Sequence, residues 1–220
     1  MNDGTLNQII GLFPTPFMRV EAMIAAPLLA GLIEELRAAA HSANARSARL
    51  AHTRILAPDA NPLIARLCGQ IEPRLADFGE LLFGERLVWS VKEIWGNVLD
   101  TGGQQAMHNH ANSFISGVLY LTESHPSANT VFMKGPGGRE FAFTNAHHGT
   151  EQGPFNADKW VSPDAAPGDL VLFPSYLLHE VPPNLGGQRI TVAFNAIPER
   201  LNAWGYELGF SAAPPSGRRP

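Results

Sequence analysis

Short apolar segments, separated by turns rich in glycine and proline, fill the second half of the chain and limit the folds it can adopt. Most are too short for a helix and are rich in β-branched or aromatic residues, as strands are. A succession of such strands predicts an antiparallel sandwich or barrel. The 21 glycines and 18 prolines among 220 residues favour the same loop-rich β architecture. The predicted strands cover residues 87–99, 114–121, 130–133, 140–143, 170–173 and 190–197.

Two amphipathic helical patterns precede these strands. The first covers residues 26–41, with Pro27 in its first turn, where proline is tolerated. The second begins after Asn61, a good N-cap residue, and ends near Gly84. Pro73 inside this pattern predicts a kink or a pair of helices. Neither helix carries a cluster of ligand-type residues, so we expect both to cover one face of the sheet.

Polar stretches connect these elements within a single predicted domain. Residues 42–60 are predicted to form a loop, and residues 144–167 form a longer loop of a kind that often acts as a lid. We find no internal repeat and no linker between independent domains. The predicted division is an N-terminal extended segment with buttressing helices, a β core and a C-terminal tail, at residues 1–86, 87–200 and 201–220.

Composition argues against several classes of function. The formal net charge of −4 gives no electrostatic reason to expect nucleic-acid binding, and no apolar run is long enough to span a bilayer. The N-terminus lacks the basic start and apolar core of a signal peptide. The single Cys68 cannot form an internal disulfide, so the sequence predicts a cytoplasmic protein. The sequence is compatible with a homodimer and does not decide the oligomeric state.

Three histidines and one arginine are the candidate functional residues. His108 and His110 are two residues apart, so in an extended segment both side chains project from one face. His179 follows the apolar run 170–178, at the predicted end of a strand, and Arg189 opens another strand-like run ten residues later. Imidazoles bind zinc, copper, iron and nickel, and an arginine fork binds a carboxylate. The pattern predicts a three-point metal site beside an anion-binding residue.

Each of these residues also has a purely structural interpretation. The histidine pair could lie on the surface, and His179 could be a hydrogen-bonded core residue. Arg189 could open a strand with its side chain in solvent. If Arg189 points inward instead, it needs an anionic partner, because an unpaired buried charge is very unfavourable.

Together, these residues and their spacing resemble the iron(II)- and 2-oxoglutarate-dependent dioxygenases, in particular the prolyl-hydroxylase-like branch. His108 matches the family's first metal ligand, His179 its distal histidine and Arg189 the arginine that binds 2-oxoglutarate. The resemblance covers about residues 87–198. More narrowly, the chain resembles an uncharacterised bacterial and phage group of oxygenases, through the patterns Trp-x-Asn-Val, His-x-His, Ser-Gly-Val-x-Tyr and Phe-Pro-Ser-x-x-x-His.

The resemblance implies a mainly β protein, a double-stranded β-helix or cupin-like jelly roll, with N-terminal helices against it. It implies Fe(2+) as the metal, 2-oxoglutarate and O2 as co-substrates, and hydroxylation of an unidentified substrate while 2-oxoglutarate is converted to succinate. Tyr120, Asn97 and Ser116 are further candidates for contacts with 2-oxoglutarate, with plain strand packing as the alternative. No catalytic residue is implied beyond the metal ligands.

One position departs from the family pattern, because His110 stands where the family has a carboxylate ligand. A three-histidine face carries no negative charge, so bound iron would keep a higher positive charge and a higher reduction potential. His110 could also turn aside and leave a water in its place. Two rival functions stay open: a cupin-like three-histidine metal enzyme that does not use 2-oxoglutarate, and a non-catalytic metal-binding module. The first rival has no need of a dicarboxylate clamp at Arg189.

Overall fold

A computed structural model describes residues 9–39, 42, 43, 47, 49–57, 59–135, 145 and 147–212. Within these residues the chain forms helices α1 (Ala26–Ala38) and α2 (Pro62–Phe83) and a short 3-10 helix at Pro126–Ala128. The strands are β1 (Met18–Val20), β2 (Ser42–Ala43), β3 (Leu50–His52), β4 (Trp89–Leu99), β5 (Gln105–His108), β6 (Ile115–Tyr120), β7 (Val131–Met133), β8 (Lys159–Val161), β9 (Leu170–Pro174), β10 (His179–Val181), β11 (Arg189–Pro198), β12 (Arg200–Ala203) and β13 (Tyr206–Gly209).

Most of the strands form two facing antiparallel sheets. The larger sheet has seven strands in the order β1-β9-β6-β11-β4-β3-β2, and the smaller has four in the order β5-β10-β7-β8. Rings meet across the gap between them, since Phe173 of β9 lies 4.9 Å from both Phe132 of β7 and His179 of β10, centroid to centroid. The strand order within both sheets is that of a double-stranded β-helix, so the predicted fold is confirmed.

The two helices cover the outer face of the larger sheet. Their apolar faces are buried in one cluster with alternate residues of β4, β6, β9 and β11. Glycine is required at two points of this packing, because a Cβ on Gly79 would overlap the indole of Trp89 and a Cβ on Gly96 would overlap Leu36. The helices therefore have the supporting role that their sequence predicts.

The ends of α2 follow from local sequence. The side chain of Asn61 accepts the backbone N–H of Ile64 at 2.9 Å, and Gly84 ends the helix with φ of 71°. Pro73 lies inside the helix, but the chain stays in one α-helix throughout, so the alternative of a helix pair is wrong. Helix α1 ends at Ala38, before the predicted end at residue 41.

The inner face of the larger sheet faces the smaller sheet and carries two rows of polar side chains. The strand register places Glu93, Asn195 and Ser116 in one row across β4, β11 and β6. A second row consists of Asn97, Thr191 and Tyr120, and Arg189 begins β11 just beyond this second row. Both ends of the inner face are therefore polar, but one carries the acidic Glu93 and the other the basic Arg189.

Several short strands lie where the sequence predicts loop or tail. Strands β2 and β3 fall within residues 42–60, β8 within 144–167, and the hairpin of β12 and β13 within 201–220 apart from its first residue, Arg200. Each has at most four residues, too few for alternation to be recognised. The predicted strand at residues 140–143 lies outside the described residues. In the described part of the chain, no helix has the length and apolar character needed to cross a membrane.

Candidate metal centre

His108 and His179 come together because the strands that carry them pair. His108 ends β5, His179 begins β10, and the two are direct partners in the antiparallel register. Their ring centroids are 4.2 Å apart. The prediction that His179 ends the preceding apolar strand was wrong, because β9 ends at Pro174 and the chain turns before it re-enters a sheet as β10.

His110 lies beyond the end of β5, in the loop that follows. Its backbone N–H donates to the carbonyl of Ser175 at 3.0 Å, which holds this loop against the turn before His179. The His110 ring centroid is 5.1 Å from those of His108 and His179, and 5.9 Å from the indole of Trp95. The potential ligand nitrogens of the three histidines all lie within 4.8 Å of one another. The structure thus brings the three predicted residues into one group.

Backbone carbonyls set the tautomers of two of the rings. Nδ1 of His108 lies 2.9 Å from the carbonyl of Ala106, and Nδ1 of His179 lies 2.9 Å from the carbonyl of Leu177. Since a carbonyl can only accept a hydrogen bond, each Nδ1 carries the proton. Each Nε2 is therefore left with a free lone pair, as a metal ligand needs.

Burial keeps these rings neutral. It lowers the pKa of His179 to about 3 and that of His110 to about 4, with a further lowering from the neighbouring His108 in both cases. Burial also lowers the pKa of His108 itself. At His110 the nearby Glu93 carboxylate opposes the lowering of the pKa. Neutral imidazole is the form that binds a metal ion, so the group needs no deprotonation at neutral pH.

The spacing of the nitrogens fits a shared divalent ion. Two nitrogens that each lie about 2.1 Å from one ion, at right or tetrahedral angles, are about 3.0–3.4 Å apart. Nε2 of His110 and Nε2 of His179 are 3.3 Å apart. Nε2 of His108 lies 3.3 Å from the side-chain nitrogen of Gln105. This hydrogen bond would have to break before the Nε2 lone pair of His108 could bind a metal. Three protein ligands leave further coordination positions for substrates.

Arg189 points inward, as an anion-binding residue would. It is only 5% exposed, and its guanidinium carbon lies 5.0 Å from the centre of the Tyr120 ring. Its Nε donates to the hydroxyl of Ser124 at 3.2 Å. Among the residues that the structure describes, no carboxylate lies within ion-pair distance of it. The interpretation of Arg189 as a solvent-exposed residue is therefore excluded.

The remaining two candidates lie at opposite ends of the inner face. Asn97 is buried in the row of Tyr120, next to the Arg189 end. Ser116 lies in the row of Asn195, and its hydroxyl donates to the Asn195 side-chain carbonyl at 2.7 Å. Since Arg189 and Asn195 are six residues apart along one strand, or about 20 Å, Ser116 is grouped with the His110 loop rather than with Arg189.

Several polar residues around the centre were missed from sequence. Gln105 and Ser124 contact His108 and Arg189 directly, and Glu93, Asn195 and Ser175 join hydrogen bonds beside the His110 loop. Alternation along β4 and β11 was a usable signal for Glu93 and Asn195, which share a face with the candidates on those strands. No comparable signal exists for Ser124, whose contact depends on how distant segments meet.

The chain matches a known family over the region that holds this centre. The family model, described as "Putative 2OG-Fe(II) oxygenase", matches residues 93–195, a range that includes the three histidines and Arg189. Over these residues the chain is similar to the 2-oxoglutarate- and iron(II)-dependent oxygenases. No protein among the curated ones matches it.

Several solved structures share the fold of this chain. HygX from Streptomyces hygroscopicus, solved with nickel and 2-oxoglutarate bound, is 16% identical, with a TM-score of 0.61 over 84% of this chain and 83% of HygX. The α-ketoglutarate-dependent epimerase SnoN from nogalamycin biosynthesis is 14% identical, with a TM-score of 0.62 over 94% and 88%. A prolyl-4-hydroxylase from Pseudomonas putida is 18% identical, with a TM-score of 0.55 over 82% and 92%. At these identities the likeness supports the fold and leaves the substrate open.

Proposed function

We propose that this protein is an oxygenase that hydroxylates its substrate at an iron(II) ion held by His108, His110 and His179, with 2-oxoglutarate and O2 as co-substrates. The observation that carries the proposal is the convergence of three neutral imidazoles, from two strands and a loop, within 4.8 Å. When bound, iron and 2-oxoglutarate would activate O2, so that one oxygen atom enters succinate, the other enters the substrate as a hydroxyl group, and CO2 leaves.

Arg189 supplies the second argument, because its burial calls for an anion. A buried guanidinium without a carboxylate partner is unfavourable, and the distal carboxylate of 2-oxoglutarate would provide that partner. Ser124 holds Nε, which leaves the two terminal nitrogens for paired hydrogen bonds to the carboxylate. The face of the Tyr120 ring lies against the guanidinium, and Asn97 lies in the same row of the sheet, where it would make a further contact with 2-oxoglutarate.

The surroundings of His179 are suited to excluding water. Phe132 and Phe173 contact its ring at centroid distances of 5.7 and 4.9 Å, and Phe17 and Trp160 extend this aromatic wall. Such a wall lowers the local dielectric constant, which strengthens the attraction between Arg189 and a carboxylate. It also shields reactive species from bulk solvent.

His110 is proposed as the third ligand in place of the carboxylate of the family pattern. Its Nε2 faces Nε2 of His179 at 3.3 Å, and its loop is tied by a backbone hydrogen bond to Ser175. With three neutral ligands the protein contributes no negative charge to the ion. The charge on the bound iron is then balanced mainly by 2-oxoglutarate, so we expect metal and co-substrate to bind cooperatively.

A cupin-like metal enzyme that does not use 2-oxoglutarate is the second candidate function. The observation in its favour is the histidine at position 110, since the triad contains no carboxylate. The burial of Arg189 argues against it. The two functions differ in whether 2-oxoglutarate is needed.

Oxygen consumption tests the proposed function. Purified protein loaded with iron(II) should consume O2 and form succinate only when 2-oxoglutarate is added. The primary substrate is not needed for this test, because such enzymes oxidise 2-oxoglutarate slowly in its absence. The matched control is His179→Gln, which removes one ligand and keeps an amide in the same place. O2 consumption that is independent of 2-oxoglutarate would favour the cupin-like alternative.

The protein's setting is also part of the proposal. We place it in the cytoplasm, which is supported by its one cysteine, Cys68, being free and buried. A net charge of −4 supports a small-molecule or peptide substrate over nucleic acid. A homodimer is compatible with the exposed apolar side chains of the β12–β13 hairpin, among them Trp204.

A further inference from the structure

A chain of polar side chains crosses the inner face of the larger sheet next to His110. The Glu93 carboxylate accepts from the side-chain nitrogen of Asn195 at 2.7 Å, and the Asn195 side-chain carbonyl accepts from the hydroxyl of Ser116 at 2.7 Å. The hydroxyls of Ser116 and Ser175 are 2.8 Å apart, and the hydroxyl of Ser113 donates to that of Ser175 at 2.9 Å. We call these five residues the Glu93 relay.

The carboxylate gives the relay a single direction. A carboxylate can only accept, so Asn195 must turn its nitrogen toward Glu93 and its carbonyl oxygen toward Ser116. Ser116 must then donate to Asn195, which leaves the Ser116 oxygen to accept from Ser175. Hydrogen bonds aligned in this way strengthen one another in a buried setting, and Ser116, Ser175 and Asn195 are each at most 3% exposed.

The relay ends on the two segments that carry His110 and His179. Ser175 lies in the turn before His179, and its carbonyl accepts the backbone N–H of His110 at 3.0 Å. The backbone N–H of Ser175 donates to the carbonyl of Phe114 at 3.0 Å, and Ser113 belongs to the same loop as His110. The relay therefore fixes the loop of His110 against the turn that leads into His179.

We propose that Glu93 is a positioning residue for the metal centre, which acts through Asn195, Ser116 and Ser175 to hold His110 in register with His179. The inference rests on the proposed function, because it takes both histidines as ligands. His110 lies on a loop, whereas His108 and His179 are fixed by a strand register. A loop ligand needs such support, and outer-shell partners of this kind typically change metal affinity by about 10- to 100-fold.

Cobalt(II) titration of the metal-free protein, followed by visible absorption, tests this role. Glu93→Leu removes the acceptor at similar volume, and Ser116→Ala breaks the relay in its middle. We expect each to weaken cobalt affinity about ten-fold or more. The double variant should bind no more weakly than either single one, because both act on the same relay. Glu93→Gln keeps an acceptor for Asn195 and should recover most of the affinity.

Two controls separate positioning from general stability. Thr53→Val removes a buried hydroxyl outside the relay, one that accepts the backbone N–H of Gly96 at 3.0 Å, and should leave cobalt affinity unchanged. Amide hydrogen exchange of His110 in the metal-free protein provides a second measurement. It should accelerate in Glu93→Leu, since Ser175 no longer holds the loop, and stay slow in Thr53→Val.

Each outcome is decisive. Wild-type affinity in Glu93→Leu and Ser116→Ala, or losses that simply multiply in the double variant, would overturn the relay and leave the proposed function intact. No cobalt binding by the wild type would overturn the proposed function, and the positioning role of Glu93 with it. Weak binding in Glu93→Leu that Glu93→Gln restores would support the relay.

Discussion

Nε2 of His110 lies 3.3 Å from Nε2 of His179, although the two residues are 69 positions apart in the chain. Neither residue is placed by local structure alone. A strand register sets His179 opposite His108, and backbone hydrogen bonds to Ser175 set the loop of His110. The short distance between the nitrogens makes His110 a ligand candidate despite its departure from the family pattern.

Substitution of His110 tests whether this residue binds the metal. His110→Ala should weaken iron(II) binding by more than about 100-fold, since loss of outer-shell partners alone changes affinity by about 10- to 100-fold. His110→Asp should retain the metal, because a carboxylate at this position is what the family pattern has. Isothermal titration under argon measures both, with the exposed His148 changed to alanine as the control. Full affinity in His110→Ala would show that His110 turns aside.

Substitution of Arg189 should separate co-substrate binding from metal binding. Arg189→Ala should weaken 2-oxoglutarate binding by about 100-fold while the iron content stays unchanged, because charge-assisted pairs of this kind are worth about 3 kcal/mol. Arg189→Lys keeps the charge but not the planar fork, and should fall between the two. Equilibrium dialysis with labelled 2-oxoglutarate measures the affinity. Loss of metal in Arg189→Ala would mean that the arginine supports the fold.

The metal-free protein should lose stability in mild acid. Burial lowers the pKa of His110 to about 4 and that of His179 to about 3, from 6.5. Between these values and about pH 6.5 the unfolded chain binds more protons than the folded protein. The free energy of unfolding therefore decreases as the pH is lowered, by about 1.4 kcal/mol per pH unit for each such histidine. Above about pH 6.5 these residues contribute no slope.

Urea unfolding from pH 7.5 to 4.5 measures this dependence. His179→Gln cannot titrate there, so its slope should be shallower by about 1.4 kcal/mol per unit. Other groups that titrate in this range are the same in both proteins. Identical slopes in the two would contradict the view that His179 is held neutral by burial.

Two glycines of α2 should respond in opposite directions to the same change. Gly69→Ala should stabilise the protein by about 0.5–1 kcal/mol, because the helix gains propensity and a Cβ there has no atom within 4 Å. Gly79→Ala should destabilise it by about 1–3 kcal/mol, because the added Cβ overlaps the indole of Trp89. Thermal unfolding compares them. Similar shifts in both would mean that the packing of α2 on β4 is looser than described.

The elements with strong local signals were predictable from sequence. Helix α2 has Asn61 at one end and Gly84 at the other, and the apolar strands β4, β6, β9 and β11 lie close to their predicted bounds. Their residues are buried on both faces or alternate regularly, so hydrophobic pattern and fold agree. Residue type and spacing also singled out His108, His110 and His179, which the structure brings together. That they bind a metal stays a prediction.

Features set by long-range contact were not predictable. Strand β10 has three residues and exists because His179 pairs with His108 and Phe132 on either side. Ser124 reaches Arg189 from a segment 65 residues away, and no local pattern marks that contact. The Glu93 relay likewise depends on the register of three strands, which hydrophobic periodicity does not specify.

Anaerobic titration of the metal-free protein with iron(II) and 2-oxoglutarate tests the central claim most directly. We expect a visible charge-transfer band to appear only when both are present, at one equivalent of each, and to be lost in His179→Gln. The band should also decay when air is admitted, as succinate forms. Iron binding without a band, or a band that persists in His179→Gln, would contradict the claim that the three-histidine centre binds iron(II) and 2-oxoglutarate together.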